Sequence, residues 1–206
     1  LNRTFDKLQS LMCVVLGPVC AAIPFAVPVI FPLVLDAEAT EALWLPTNLL
    51  AVGLYMTATG TIPHFLALSR DRADIGLRQN LLAVLFIFPA TVALIAHFGL
   101  VGAATGWCLY QVLGYAYYMR RVYSECLQRS PMVFYAQAAR AGSILASTYG
   151  VAFAVLAYGP GFTAWTVVAG YLAASALYCL ASWLTIDPGI RDELKRLLDR
   201  RPSRAE

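Results

Sequence analysis

The chain has 206 residues, of which 60% are hydrophobic and only 13% charged, with a net charge of +3 and a mean hydropathy of +0.66. A soluble domain carries about 25% charged residues. These figures exclude a soluble globular enzyme, a disordered chain and a water-exposed binder of nucleic acid.

The first ten residues hold acid as well as base, and no small-residue cleavage site follows, so they are not a signal sequence. The chain begins with Leu and not Met, so it is expected to be a fragment or processed piece of something longer. A membrane-crossing helix needs roughly 20 mainly apolar residues to span a ~30 Å hydrocarbon layer. Stretches near 11–35, 43–68, 81–98, 101–119, 142–158 and 163–186 qualify, and none contains Asp, Glu, Lys or Arg. Backbone polar groups in lipid must be satisfied within the segment, so such runs are helices. The predicted fold is therefore all-α: a polytopic bundle of six transmembrane helices over 1–186, with a cytoplasmic amphipathic tail over 187–206.

The first predicted span holds Pro18, Pro24, Pro28 and Pro32. Each interior proline removes a helix hydrogen bond. The last three, spaced by four, line the disrupted backbone along one side, which makes Pro24, Pro28 and Pro32 hinge candidates. An acidic outer loop with Asp36, Glu38 and Glu41 follows. The second span is the most polar. Asn48, Tyr55 and Thr59 fall on one face at helical spacing, and Thr57, Thr61 and His64 fall on roughly the opposite one. One face is expected to line a cavity and the other to bond a neighbouring helix. His64 is an ionisable group inside a span, and such groups are functional candidates.

The fourth span carries Gly102-x-x-x-Gly106, which permits close approach of another helix. Trp107, Gln111, Tyr115 and Tyr118 then form a stripe suited to stacking on a sugar or aromatic group. Small residues recur in the fifth and sixth spans and report tight packing. In the tail, Asp187 can cap a helix with Pro188 at its first position. Ile190, Leu194, Leu197 and Leu198 share one face, as in a helix lying among headgroups.

All 15 basic residues fall on the side that holds the N-terminus, in the loops near 69–80 and 120–141 and in the tail. The opposite side receives three acids and two uncharged hairpins, at 98–101 and 158–163. The positive-inside rule makes the basic side cytoplasmic. Trp44, Phe98, Tyr158, Phe162 and Trp165 read as an outer aromatic belt, and Tyr117, Tyr118, Tyr123 and Trp183 as an inner one.

No nucleophile elbow, metal-binding helix, phosphate loop or dinucleotide fingerprint occurs. With no carboxylate inside the spans, no acid–base pair or metal site is expected there, and neither catalysis nor a cofactor is predicted. The five scattered cysteines read as small buried hydrophobes.

The order of features resembles the C-terminal half of polysaccharide or lipid-linked oligosaccharide flippases of the multidrug/oligosaccharidyl-lipid/polysaccharide exporter superfamily. The likeness lies in the basic lead-in at Arg3 and Lys7, the proline-rich span and the loop Phe65-Leu-Ala-Leu-Ser-Arg-Asp-Arg. It continues in the turn Phe98-Gly-Leu-Val-Gly-Ala-Ala-Thr-Gly. Ser69 stands where that family often has glycine, and the likeness covers about 1–121. It implies one lobe of a two-lobed transporter that flips a lipid-linked saccharide across the bacterial inner membrane by alternating access. The partners it implies are membrane lipids, the saccharide lipid and a further N-terminal lobe or partner chain. Asn48, Tyr55, Thr59, His64, Gln111 and Tyr115 are the candidate cavity residues. The alternatives are a multidrug exporter of the same superfamily and a non-transporting scaffold for glycan-synthesis enzymes. A transporter is expected to gather Asn48, Tyr55, Thr59, Gln111 and Tyr115 around one hydrated cavity; a scaffold is expected to pack them away.

Overall fold

A computed structural model describes residues 2–159 and 161–185. Among them there is no strand, and five helices are long and apolar enough to cross a membrane. They are α1 (Asn2–Val34), α2 (Ala37–Ser69), α3 (Ala73–Cys126), α4 (Met132–Tyr158) and α5 (Ala164–Thr185). The predicted tail helix at 187–206 lies outside the described residues.

Helix α1 continues unbroken through all four prolines. The loop expected after it is shorter than its charges suggest. Asp36 accepts a hydrogen bond from the Ala39 backbone N–H at 2.8 Å, and Glu38 sits in the first turn of α2. Acids at a helix N-terminus satisfy free N–H groups and complement the dipole. Asp36, Glu38 and Glu41 thus start a helix instead of forming a loop.

Helix α3 has 54 residues, which would extend about 81 Å if straight, against a hydrocarbon layer of ~30 Å. It is not straight. Gly99 has φ 56° and ψ −128°, a backbone conformation open to glycine and closed to residues with a Cβ. The arms on either side of Gly99 fold back on one another. A Cβ placed on Gly102 would lie 2.1 Å from the Leu94 carbonyl oxygen, and one on Gly106 would lie 2.4 Å from Thr91 Oγ1. Further along, Tyr110 Oη donates to Asn80 Oδ1 at 3.0 Å. The helix that the Gly102/Gly106 pair approaches is therefore the preceding arm of the same chain.

The stretch 120–141, expected as a loop, is helical except for 127–131. Its charges mark where the apolar surface ends, not where the helix ends. Val122, Tyr123 and Phe134 are buried there against Phe5, Leu66 and Ile75. Tyr118 and Tyr123, expected as an interfacial belt, are core residues of this cluster. Ion pairs bind the same end. Arg129 Nη1 meets Asp6 Oδ2 at 2.6 Å, and Arg121 Nη1 meets Glu125 Oε1 at 2.8 Å. Arg72 bridges Asp74, at 2.9 Å, and Glu125. Hydrogen bonding to Asp74, then to Glu125, pushes the Arg72 pKa further up, and Asp6 does the same for Arg129. The start of α1 and the 70–72 and 127–131 turns are thereby held together at one end of the bundle.

A second core, near the other end, surrounds Phe25. Its ring makes edge contacts with Tyr149, Phe153 and Tyr171 at centroid distances of 6.2, 5.7 and 5.7 Å.

Two of the helix interruptions by proline are repaired across helices. Pro18 deprives the Val14 carbonyl of its usual N–H donor, and Tyr178 Oη of α5 donates to that oxygen at 2.9 Å. Pro63 does the same to the Thr59 carbonyl, and Gln9 Nε2 of α1 donates there at 2.8 Å. Freed carbonyls have become the points where helices are tied together.

Candidate functional site

A cleft of about 400 Å³ opens between α2 and the two arms of α3, within the usual size range of small-ligand sites. Its wall from α2 is the face bearing Thr57, Thr61 and His64. Its wall from the second arm of α3 is the aromatic stripe Trp107, Gln111, Tyr115 and Tyr118, and Gln79 and Asn80 come from the first arm. Periodicity dictates both walls, because each set recurs every three or four residues on its own helix.

The fixed groups of the cleft are these. Tyr118 Oη and His64 Nδ1 lie 3.2 Å apart, joining α2 to α3. Thr57 and Thr61 donate back to their own helix, to the Gly53 and Thr57 carbonyls. Trp107 is stacked with Tyr110 at a centroid distance of 6.0 Å and an interplanar angle of 26°. Glycine makes room for the indole, since a Cβ on Gly53 would lie 2.5 Å from Trp107 Cδ1. Residues 114–119, on the cleft wall, form a widened π-helical turn, a local form that recurs at functional sites. The Tyr115 carbonyl in this turn accepts from Tyr135 Oη at 2.7 Å.

The groups without fixed partners are more telling. Gln79 and Gln111 are buried, at 9% and 8% exposure, and both line the cleft. Neither side-chain amide is hydrogen-bonded to another described residue. Their amide atoms are not sealed off from the cleft, so each arm of α3 offers it an uncommitted hydrogen-bonding group. No Asp, Glu, Lys or Arg is among the residues that line the cleft. It can hold an uncharged polar group against an aromatic face, and it lacks the charges for ionic recognition.

The six sequence candidates do not share one cavity. His64, Gln111 and Tyr115 line this cleft. Asn48 and Tyr55 line a separate, almost wholly apolar cleft of about 320 Å³ between α1, α2 and α4, which also includes Pro24. Asn48 Nδ2 is turned onto the Trp44 carbonyl at 2.7 Å, and Tyr55 Oη onto the Cys13 carbonyl at 3.2 Å. Thr59 lines neither. It is fully buried, donating to the Tyr55 and Met56 carbonyls while its hydroxyl meets Tyr115 Oη. The face of α2 expected to line a cavity is largely the one that ties α1, α2 and α3, and the opposite face opens to the larger cleft. Pro28 and Pro32 line neither cleft.

Gln79 and Asn80 escaped the sequence reading because they stand at the edge of a basic loop. Gly99 brings them back beside the aromatic stripe, and a turn of that tightness could be inferred from Gly99 together with Gly102 and Gly106. No group of three or more metal-binding side chains occurs among the described residues. Comparison with known proteins finds no matching family model, curated protein or solved structure.

Proposed function

We propose that the chain forms a six-crossing lobe of a membrane exporter that moves a lipid-linked saccharide across a bacterial inner membrane. The two arms of α3 count as separate crossings in this reading, and both chain ends face the cytoplasm by the positive-inside rule. A further lobe or partner chain completes the transporter.

One observation carries the reading. Within a bundle of apolar helices, the two arms of α3 present two unbonded amides beside a stacked aromatic pair, with no Asp, Glu, Lys or Arg on the lining. The five residues expected around one hydrated cavity do not gather there, so the reading rests on Gln79, Gln111 and the Trp107–Tyr110 pair. The absence of charge suits a saccharide headgroup better than a cationic drug. The motif likeness from 1 to 121 points the same way.

Depleting the protein in its native host tests this against its rivals. The exporter reading expects lipid-linked saccharide to accumulate on the cytoplasmic leaflet. A drug exporter would instead leave the saccharide lipids unchanged and cause cells to retain dyes. Loss of saccharide-lipid synthesis itself would favour the scaffold.

A further inference from the structure

We infer that the cleft between α2 and the two arms of α3 binds one uncharged, hydroxyl-bearing ring, stacked on Trp107 and hydrogen-bonded by the amides of Gln79 and Gln111. As the site for a glycosyl headgroup it rests on the exporter reading above, whereas its chemistry follows from the cleft alone.

Three alternatives for the ligand fail on the lining. An acidic group, such as a phosphate or carboxylate, would enter a low-dielectric site with no Lys or Arg on its wall and with its one histidine, His64, already engaged by Tyr118, and an unpaired buried charge is strongly disfavoured. A cation would find no carboxylate. An acyl chain would leave both glutamine amides still unbonded, and it already has an almost wholly apolar cleft to enter, the one beside Phe25 and Phe153. A ring carrying hydroxyl groups resolves each objection. A primary amide presents two donors and an acceptor oxygen, and a hydroxyl both donates and accepts. The exposed face of Trp107, 42% accessible, covers the apolar C–H side of such a ring. Gly53 seats the indole against α2, and Tyr110, bonded to Asn80, buttresses it by stacking. The platform is thus fixed while the two amides remain uncommitted.

The test uses the whole chain in lipid nanodiscs, with n-octyl β-glucoside and n-octyl phosphocholine as probes of equal chain length. In a Trp44→Phe, Trp165→Phe, Trp183→Phe background, Trp107 emission is expected to shift saturably with the glucoside and not with the phosphocholine. Adding Gln79→Leu with Gln111→Leu is expected to weaken the glucoside response at least tenfold. Equal responses to both probes, or a glucoside response untouched by the double change, would overturn the inference. A second measurement on the unaltered chain does not depend on the variants folding. An octyl glucoside with a photoreactive group on its ring is expected to crosslink within 105–115 or at 79–80. Crosslinks confined to the lipid-facing stretch 81–95 would equally overturn it. The two readings can fail separately. Binding without saccharide-lipid accumulation on depletion removes the exporter and keeps the site. Accumulation without glucoside binding removes the site alone.

Discussion

The two ends of the bundle hold their helices together by different means. At the charged end the ties are polar and specific: the Asp6–Arg129 pair, the Arg72–Asp74–Glu125 cluster, and Gln9 on the Thr59 carbonyl left free by Pro63. Toward the other end they are matters of shape. Gly102 and Gly106 let two arms touch, and Phe25 sits among Tyr149, Phe153 and Tyr171. Helix α1 contains both regimes. Its first half is tied at Val14 and receives Tyr171 on the Pro18 carbonyl. Pro24, Pro28 and Pro32 free the carbonyls of Cys20, Pro24 and Pro28, which receive no side-chain donor from another helix among the described residues. Beyond Val27 no residue of α1 is buried. If α1 bends, it bends in that outer half. Four prolines of equal appearance in the sequence fall into two mechanical classes.

Changes at the two ends should therefore differ in size and kind. The largest effect is expected from Gly102→Ala, because its Cβ would meet backbone that cannot move without opening the hairpin. Overpacking costs about 1–3 kcal/mol, more than the roughly 1 kcal/mol of helix propensity that alanine gains. Thermal unfolding in detergent should show a clear loss, and an unchanged midpoint would contradict the close approach. Next comes Gln9→Leu, which leaves the Thr59 carbonyl without its donor at about 1–3 kcal/mol. Combining it with Pro63→Ala, which restores a local N–H, should recover most of that loss.

Tyr178→Phe is expected to cost about 0.5–1.5 kcal/mol. The cost should shrink in a Pro18→Ala background and stay the same in a Pro28→Ala background. Equal coupling to both prolines would dissolve the distinction between the two halves of α1. The smallest effect belongs to Glu125→Gln. Its pairs are partly exposed, with side chains of Arg72 and Glu125 at 35% and 24% accessibility, and salt screens such pairs. Its destabilisation should be the least of the four and should vanish at molar salt.

Much of this architecture was legible in the sequence, because apolar run length and charge clustering report directly on helices in lipid. The turn at 98–101 appeared where Gly99 now stands, and the stripe from Trp107 to Tyr118 forms one wall as its spacing required. Three features were not legible, for separate reasons. Helices 100–126 and 132–158 run past their apolar limits because backbone hydrogen bonding continues wherever one face still finds a core, as Val122 and Phe134 do. Asn48, Tyr55 and Thr59 share a face, yet spacing says only that residues point together, not whether they meet a cavity or a carbonyl. Gln79 joined the cleft because the turn at Gly99 lays the first arm of α3 beside the second, a pairing of particular residues that helical spacing within either arm does not give.

The account depends above all on α3 reversing at Gly99. In a chain cleared of its own cysteines, Ser69→Cys and Ser130→Cys flank the 54-residue helix, and Glu38→Cys marks the opposite end. With an impermeant thiol reagent on sealed vesicles, the reversal predicts that positions 69 and 130 react from one side and position 38 from the other. Labelling of 69 and 130 from opposite sides would mean a single crossing there and would contradict it.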